Sequence, residues 1–303
     1  MRRSHALIRL SWLVAVLALI GAGAGLLWRD GGSPFAFTTL HGQTVRIAGQ
    51  GLYRYDTLFK APIQRGTDAV TILVCVPLLA FAIRSYGRGS LRGGLLLAGT
   101  LAFLLYNAAS LAFGVAYNSM ILIYIAWFSA SLFALVLACH AIDLAALPAR
   151  VSARLPHRGI AVFVLVSGMT LFVWLADIVG GLRQGQVPPG IASYTTEITY
   201  VIDLGIIMPT AFLASFALRR RSGAGYLLAA IVLIMNALIG VTVIGQTIVQ
   251  TLEGITLSTG EYVGKVGSFV VMGAIAAALI VTLLCNVAEP EAPERVALAR
   301  ASV

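Results

Sequence analysis

AGYLLAAIVLIMNALIGVTVIGQTIV, residues 224–249, is a run of 26 residues with no charged side chain. As a helix it would rise about 39 Å, more than the ~30 Å hydrocarbon core of a bilayer requires. The run therefore reads as a membrane span, and its surroundings agree. Of the 303 residues, 59% are hydrophobic and only 11% charged, and the mean hydropathy is +0.92. A soluble domain is far more polar.

Outward from this run, comparable apolar stretches lie at 10–28, 69–84, 94–114, 119–140, 160–181, 198–218 and 266–286. The expected fold is an all-α polytopic membrane protein with eight transmembrane helices and one bundle. Residues 1–28 form an N-terminal transmembrane helix, 29–67 an extracytoplasmic loop, 68–288 a seven-helix bundle and 289–303 a cytoplasmic tail. The basic start MRRSHALIRL and the small residues near Ala22 and Ala24 resemble a signal peptide. The run continues to Trp28, however, long enough to be retained as a spanning helix.

Charge sets the expected orientation. Placing the arginine-rich links inside puts 14 basic and 4 acidic residues on the inner side, against 7 and 8 on the outer. The positive-inside rule then predicts both termini in the cytoplasm. Composition and the absence of an organelle-targeting peptide suggest a bacterial cytoplasmic membrane. The one long polar insertion, between helices 1 and 2, alternates in TVRI and carries turn signals at His41-Gly42 and Gly49-Gln50-Gly51, which predicts a small β-hairpin or three-strand meander. Within it GQGLYRYDT, followed by RGTD, looks motif-like without indicating an activity. No internal repeat is visible by eye.

Several chemistries are disfavoured. The basic residues lie scattered in topological links, so nucleic acid is not an expected partner. Cys75, Cys139 and Cys285 have no metal-ligand or redox spacing. HExxH, a P-loop and Gly-x-Ser-x-Gly are absent, and WLADIVGG and YVIDLG lack the GxGD of intramembrane aspartyl proteases. No cofactor or metal is expected.

What the spans do carry is a set of polar residues in their outer halves. TTEITYVIDLGIIMP, residues 195–209, brings Glu197, Tyr200 and Asp203 to roughly one helical face. Glu197 is expected at the exposed interface and Asp203 deeper, at the level of Trp174 and Asp177 on the preceding helix. Tyr106 and Asn107 lie at similar depth, Asn118 beyond the next outer turn, and Gln246 near the outer end of helix 7. An ionisable group facing lipid costs at least ~2.5 kcal/mol, so these residues should look into protein or a cavity. Pro77 and Pro209 are expected to kink their helices. The nine residues Asp203, Asp177, Tyr200, Asn107, Tyr106, Asn118, Glu197, Trp174 and Gln246 are the candidate lining of an outward-facing polar pocket. The competing expectation is structural: carboxylates paired with Arg183, Lys265 or a hairpin arginine, and amides acting as interhelical hydrogen-bond donors.

The function expected is binding or accessory rather than catalytic, toward a small molecule, a lipid or a membrane-protein partner on the extracytoplasmic side. A proton- or cation-coupled transporter and a lipid-modifying intramembrane enzyme are the alternatives.

Overall fold

The computed structural model describes residues 3–188 and 190–289, with Glu261 and Lys265 as backbone only. Arg2, Pro189 and the tail from residue 290, with Glu291, Glu294, Arg295 and Arg300, lie outside these residues. Eight helices among the described residues are long and apolar enough to cross a membrane. They are α1 (His5–Leu27), α2 (Lys60–Gly87), α3 (Leu91–Gly114), α4 (Ile121–Ala141), α5 (His157–Gln184), α6 (Ile198–Arg219), α7 (Gly223–Leu252) and α8 (Tyr262–Cys285). They fit a multi-pass membrane protein. Helix is the economical state for such runs, because it satisfies every backbone N–H and C=O within the segment.

The insertion between α1 and α2 holds a two-stranded antiparallel hairpin, β1 (Phe35–Thr38) and β2 (Thr44–Ile47). Phe35 pairs with Ile47 and Thr38 with Thr44. Among the described residues no third strand joins it, only an isolated bridge from Ile47 to Thr57. A lone hairpin is marginal in water, and this one is tied down by the chain just beyond β2. Ala48 N–H donates to Asp56 O (2.9 Å) and Gly49 N–H to Arg54 O (2.8 Å). α2 begins at Lys60, so RGTD is helical, and Lys60, Arg65 and Asp68 ride on the hairpin end of the bundle.

α3 and α7 are the most buried of the eight helices and form the centre. Around them the chain repeats itself. α2 contains a π-helical turn at Thr71–Cys75 with Pro77 just beyond, and α6 has the same arrangement at Asp203–Ile207 with Pro209. The matching positions are 132 residues apart, as 209 is from 77, and the spacing holds through the next turn. Ser90 N–H bonds Ser85 O (3.2 Å) and Ser222 N–H bonds Ala217 O (3.1 Å); Gly89 N–H bonds Tyr86 O and Arg221 N–H bonds Leu218 O, both at 2.9 Å. Ser90 Oγ then caps α3 by accepting from Gly93 N–H (3.0 Å), and Ser222 Oγ caps α7 by accepting from Gly225 N–H (3.1 Å).

The relation also crosses between the halves. Gly66 of α2 lies against the backbone of Gln246 in α7, and Gly114 of α3 against Ile198 of α6. Adding 132 to 66 and to 114 gives 198 and 246, so each contact is the other with its halves exchanged. That is what an approximate two-fold axis between the α2–α3 and α6–α7 hairpins produces. From Thr71 to Thr100 the aligned halves share eight identities (Pro77, Ala82, Arg88, Ser90, Gly93, Leu95, Leu96 and Ala98), too few to stand out against an apolar background. The two hairpins thus share a backbone pattern that is not visible by eye in the sequence.

The copies differ at one telling place. The turn residue 89 is Gly at φ +82°, but its counterpart is Arg221 at φ +52°. A left-handed conformation suits Gly, whereas for a side chain with a Cβ it costs on the order of 1 kcal/mol.

α5 is also irregular. It breaks at Leu171 into His157–Thr170 and Phe172–Gln184, and the second piece has no buried residue.

Candidate functional site

The exposed half of α5 is held to α6 by a reciprocal clasp. Trp174 and Asp177 stand three residues apart on α5, and Tyr200 and Asp203 three apart on α6, so each pair shares a face. Trp174 Nε1–H donates to Asp203 Oδ2 (2.9 Å), and the Tyr200 hydroxyl donates to Asp177 Oδ2 (3.1 Å). Each helix therefore supplies one ring donor and one carboxylate. The two rings lie 5.4 Å apart, tilted by 38°. Tyr106 of α3 also bonds Asp203.

Burial divides the two carboxylates. Asp203 is buried and opens the π-helical turn of α6, a feature enriched at functional positions. Asp177 is exposed. Neither takes part in an ion pair among the described residues. The third carboxylate does: Glu197 pairs with Lys60, whose ammonium also lies 4.2 Å from the Tyr194 ring centroid. Thr199 Oγ1 donates to Glu197 Oε1 (2.9 Å). Glu197 is consequently buried rather than at an exposed interface, because α2 starts early enough to bring Lys60 over it. None of the described cations of the expected set, Arg183 or the hairpin's Arg46, is a carboxylate partner here, and the Lys265 side chain lies outside the described residues.

The remaining candidates lie elsewhere. Asn107, next to Tyr106 on α3, points Nδ2–H to Thr71 Oγ1 (3.4 Å), the first residue of the other π-helical turn. Adjacent residues of α3 thus touch equivalent positions, 71 and 203, of the two copies. Gln246 Nε2–H donates to Thr67 Oγ1 (2.9 Å) as a tie between α7 and α2. Asn118 Oδ1 accepts from Met120 N–H (3.0 Å) and lines a separate cavity of about 360 Å³ with Trp28, Leu52, Arg54, Tyr55 and Tyr117. Six of the nine residues gather at the α5–α6 seam; Asn107, Asn118 and Gln246 do not.

A second polar group was not singled out by position in the spans, because its residues lie in the insertion and at the start of α2. Tyr53 OH donates to Asp68 Oδ2 (2.7 Å), both fully enclosed. Gly25 of α1 makes room, since a Cβ there would stand 2.8 Å from the Tyr53 hydroxyl. Burial raises the Tyr53 phenol well above its ordinary range, with the Asp68 charge adding to it. Arg65 grips Glu253 with both Nε (2.6 Å, to Oε1) and Nη2, and Arg29 stands 3.7 Å from the same carboxylate.

Asp56 Oδ1 accepts from Ala116 N–H (3.0 Å) and the Tyr194 hydroxyl (2.8 Å), while Oδ2 is enclosed without a donor. Burial pushes the Asp56 carboxyl up to about 6, against the lowering effect of its two donors. The motif-like fragments GQGLYRYDT and RGTD supply Tyr53, Asp56, Arg65 and Asp68, so their signal is that of a stapled insertion.

Chemically, the seam offers a buried carboxylate, an exposed one beside it and two aromatic walls, on a helix segment with no buried residue. Among the described residues no three His, Cys, Asp or Glu side chains come together to hold a metal ion. Comparison with known proteins supplies no relative to argue from: no family model matches the chain, and no match was found among curated proteins or solved structures.

Proposed function

We propose that this is a binding or accessory protein of the bacterial cytoplasmic membrane, with its hairpin end outside. Its outward-facing pocket at the α5–α6 seam takes an amine-bearing or otherwise cationic ligand, such as a lipid headgroup. The observation that carries this reading is Asp203, a buried carboxylate whose described partners are the neutral donors Trp174 and Tyr106. With Asp177 and Glu197 against Lys60 alone, the seam holds three carboxylates and one ammonium, a formal charge of −2. A cation entering beside Trp174 and Tyr200 would gain Coulombic and cation–π attraction in a setting poor in water. The lack of buried residues in Phe172–Gln184 supports entry from the side, by displacing that segment.

The test is lipid retention in native mass spectrometry of protein purified from mixed phosphatidylethanolamine and phosphatidylglycerol nanodiscs. Wild type should retain phosphatidylethanolamine preferentially, and Asp203→Asn and Asp177→Asn should each reduce that preference about tenfold, the scale of one charge-assisted hydrogen bond. Melting temperatures should change little. If both variants unfold in step with the lost preference, the carboxylates are structural and the reading fails.

The duplicated hairpins favour a second reading, a cation- or proton-coupled transporter, since paired repeats are a common transporter plan. Uptake of a labelled amine into proteoliposomes under an imposed pH gradient would separate transport from binding.

A further inference from the structure

At the end of the bundle remote from the hairpin, a cavity of about 410 Å³ is lined by His157, Arg158, Arg219 and Arg221. Such a volume suits a small ligand. No carboxylate lines it, and none of the three arginines forms an ion pair among the described residues. Neighbouring Arg220 behaves differently, lying 4.2 Å over the ring of Phe216. His157 is buried, and its Nε2 lies 2.8 Å from the Tyr226 hydroxyl, which fixes the imidazole against α7. His157 and Arg158 are the first residues of α5, where the helix carries partial positive charge and has no side-chain cap.

The positive-inside rule explains why arginines populate this end. It does not explain why three converge on one cavity, where like charges repel. Nor does it explain the backbone of Arg221. The duplication supplies an internal control: the counterparts of Arg219 and Arg221 are Gly87 and Gly89, and Gly89 meets the left-handed turn without strain. One copy has the relaxed residue, and the other keeps an arginine in an unfavourable conformation at the mouth of a cationic cavity. Strain retained at one of two equivalent positions points to a role for the side chain.

We propose that this cavity binds the phosphate group of an anionic ligand, either the headgroup of an acidic phospholipid or a free phosphate. Arginine presents a planar fork of donors matched to phosphate oxygens, and two or three such forks neutralise the charge that would otherwise destabilise the empty cavity.

The experiment melts the full-length protein in phosphatidylcholine nanodiscs under three additions: phosphatidylglycerol in the bilayer, inorganic phosphate in the buffer, and sodium chloride at matched ionic strength. A ligand that binds the native state raises the melting temperature with concentration, which yields an apparent affinity. Wild type should respond to phosphatidylglycerol or to phosphate and not to chloride. A response to phosphatidylglycerol alone identifies a lipid, and a response to free phosphate a soluble ligand. Arg221→Gly, which installs the residue of the other copy, should melt no lower than wild type in phosphatidylcholine alone, yet lose about tenfold in apparent affinity. Arg219→Gln, at an exposed helix end, should lose affinity similarly and serves if the glycine variant does not fold. Equal stabilisation by chloride, or an undiminished response in both variants, overturns the proposal.

Discussion

At Asp56, one carboxylate oxygen takes two donors while the other is sealed off with none, which is why the group holds its proton to about pH 6. The sign of the consequence comes from linkage. An unfolded aspartate releases its proton near its ordinary value of about 3.9, so between there and 6 the folded state binds more protons than the unfolded one. Asp56 therefore favours the fold most at low pH, and that contribution is lost as pH rises through about 6. A shift of roughly two units corresponds to about 3 kcal/mol as an upper figure. Wild type should melt at a lower temperature at pH 8 than at pH 5.5. Asp56→Asn keeps the Oδ1 acceptor without the charge, so it should flatten that dependence and melt higher at pH 8. If its pH profile parallels wild type, Asp56 is not the titrating group. The importance of Asp56 was not legible in the sequence, where it lies in a loop and ordinarily would be solvated. Asp203 was legible, because an acid inside an apolar run is already anomalous. Glu197 was misjudged for a nonlocal reason: its exposure depended on where α2 begins, 137 residues upstream at Lys60.

For elements, the unit of interest is the hairpin-end half of α5. It leaves its own helix at Leu171, buries nothing, and is fastened by two side-chain bonds to carboxylates, worth about 1.5–3 kcal/mol each. Trp174→Phe with Tyr200→Phe removes both clasp donors and keeps an aromatic ring at each position. Hydrogen exchange across Phe172–Gln184 should then speed up at least tenfold while α3 and α7 keep their protection. Unchanged exchange would show that packing alone holds the segment. The prolines at 77 and 209 announce irregular helices, but the π-helical turns before them were not readable. A π turn depends on which carbonyl each N–H finds, and composition carries no trace of that choice. The clasp was half readable: helical spacing put Tyr200 and Asp203 on one face, but nothing in sequence paired them crosswise with Trp174 and Asp177.

For the whole molecule, the apolar runs sufficed to count eight helices, since a run longer than the hydrocarbon core has few other fates. Orientation rests on charge alone and is open to a direct check. In a background with Cys75, Cys139 and Cys285 replaced by alanine, a membrane-impermeant maleimide should label Leu40→Cys, at a residue 99% exposed in the hairpin turn, on intact cells. Arg88→Cys should react only after permeabilisation; the opposite pattern would invert the proposed topology. The two-fold relation was not legible because only eight of thirty aligned residues are shared; the π-helical turns, the hydrogen bonds of the turns and the crossed glycine contacts reveal it.

The matched α2–α3 and α6–α7 hairpins each cross twice, an even number, and this bears on how such a chain could arise. A two-helix hairpin begins and ends on the same side, so two copies of it in one chain insert in the same sense without any reversal of charge bias. An odd-numbered unit would have required dual orientation first. The two hairpins differ at both ends of the bundle. The second carries the clasp at the insertion end, and at the opposite end it has Arg219 and Arg221 where the first has Gly87 and Gly89. Both proposed sites therefore draw on the second hairpin, while the first is joined to the stapled insertion.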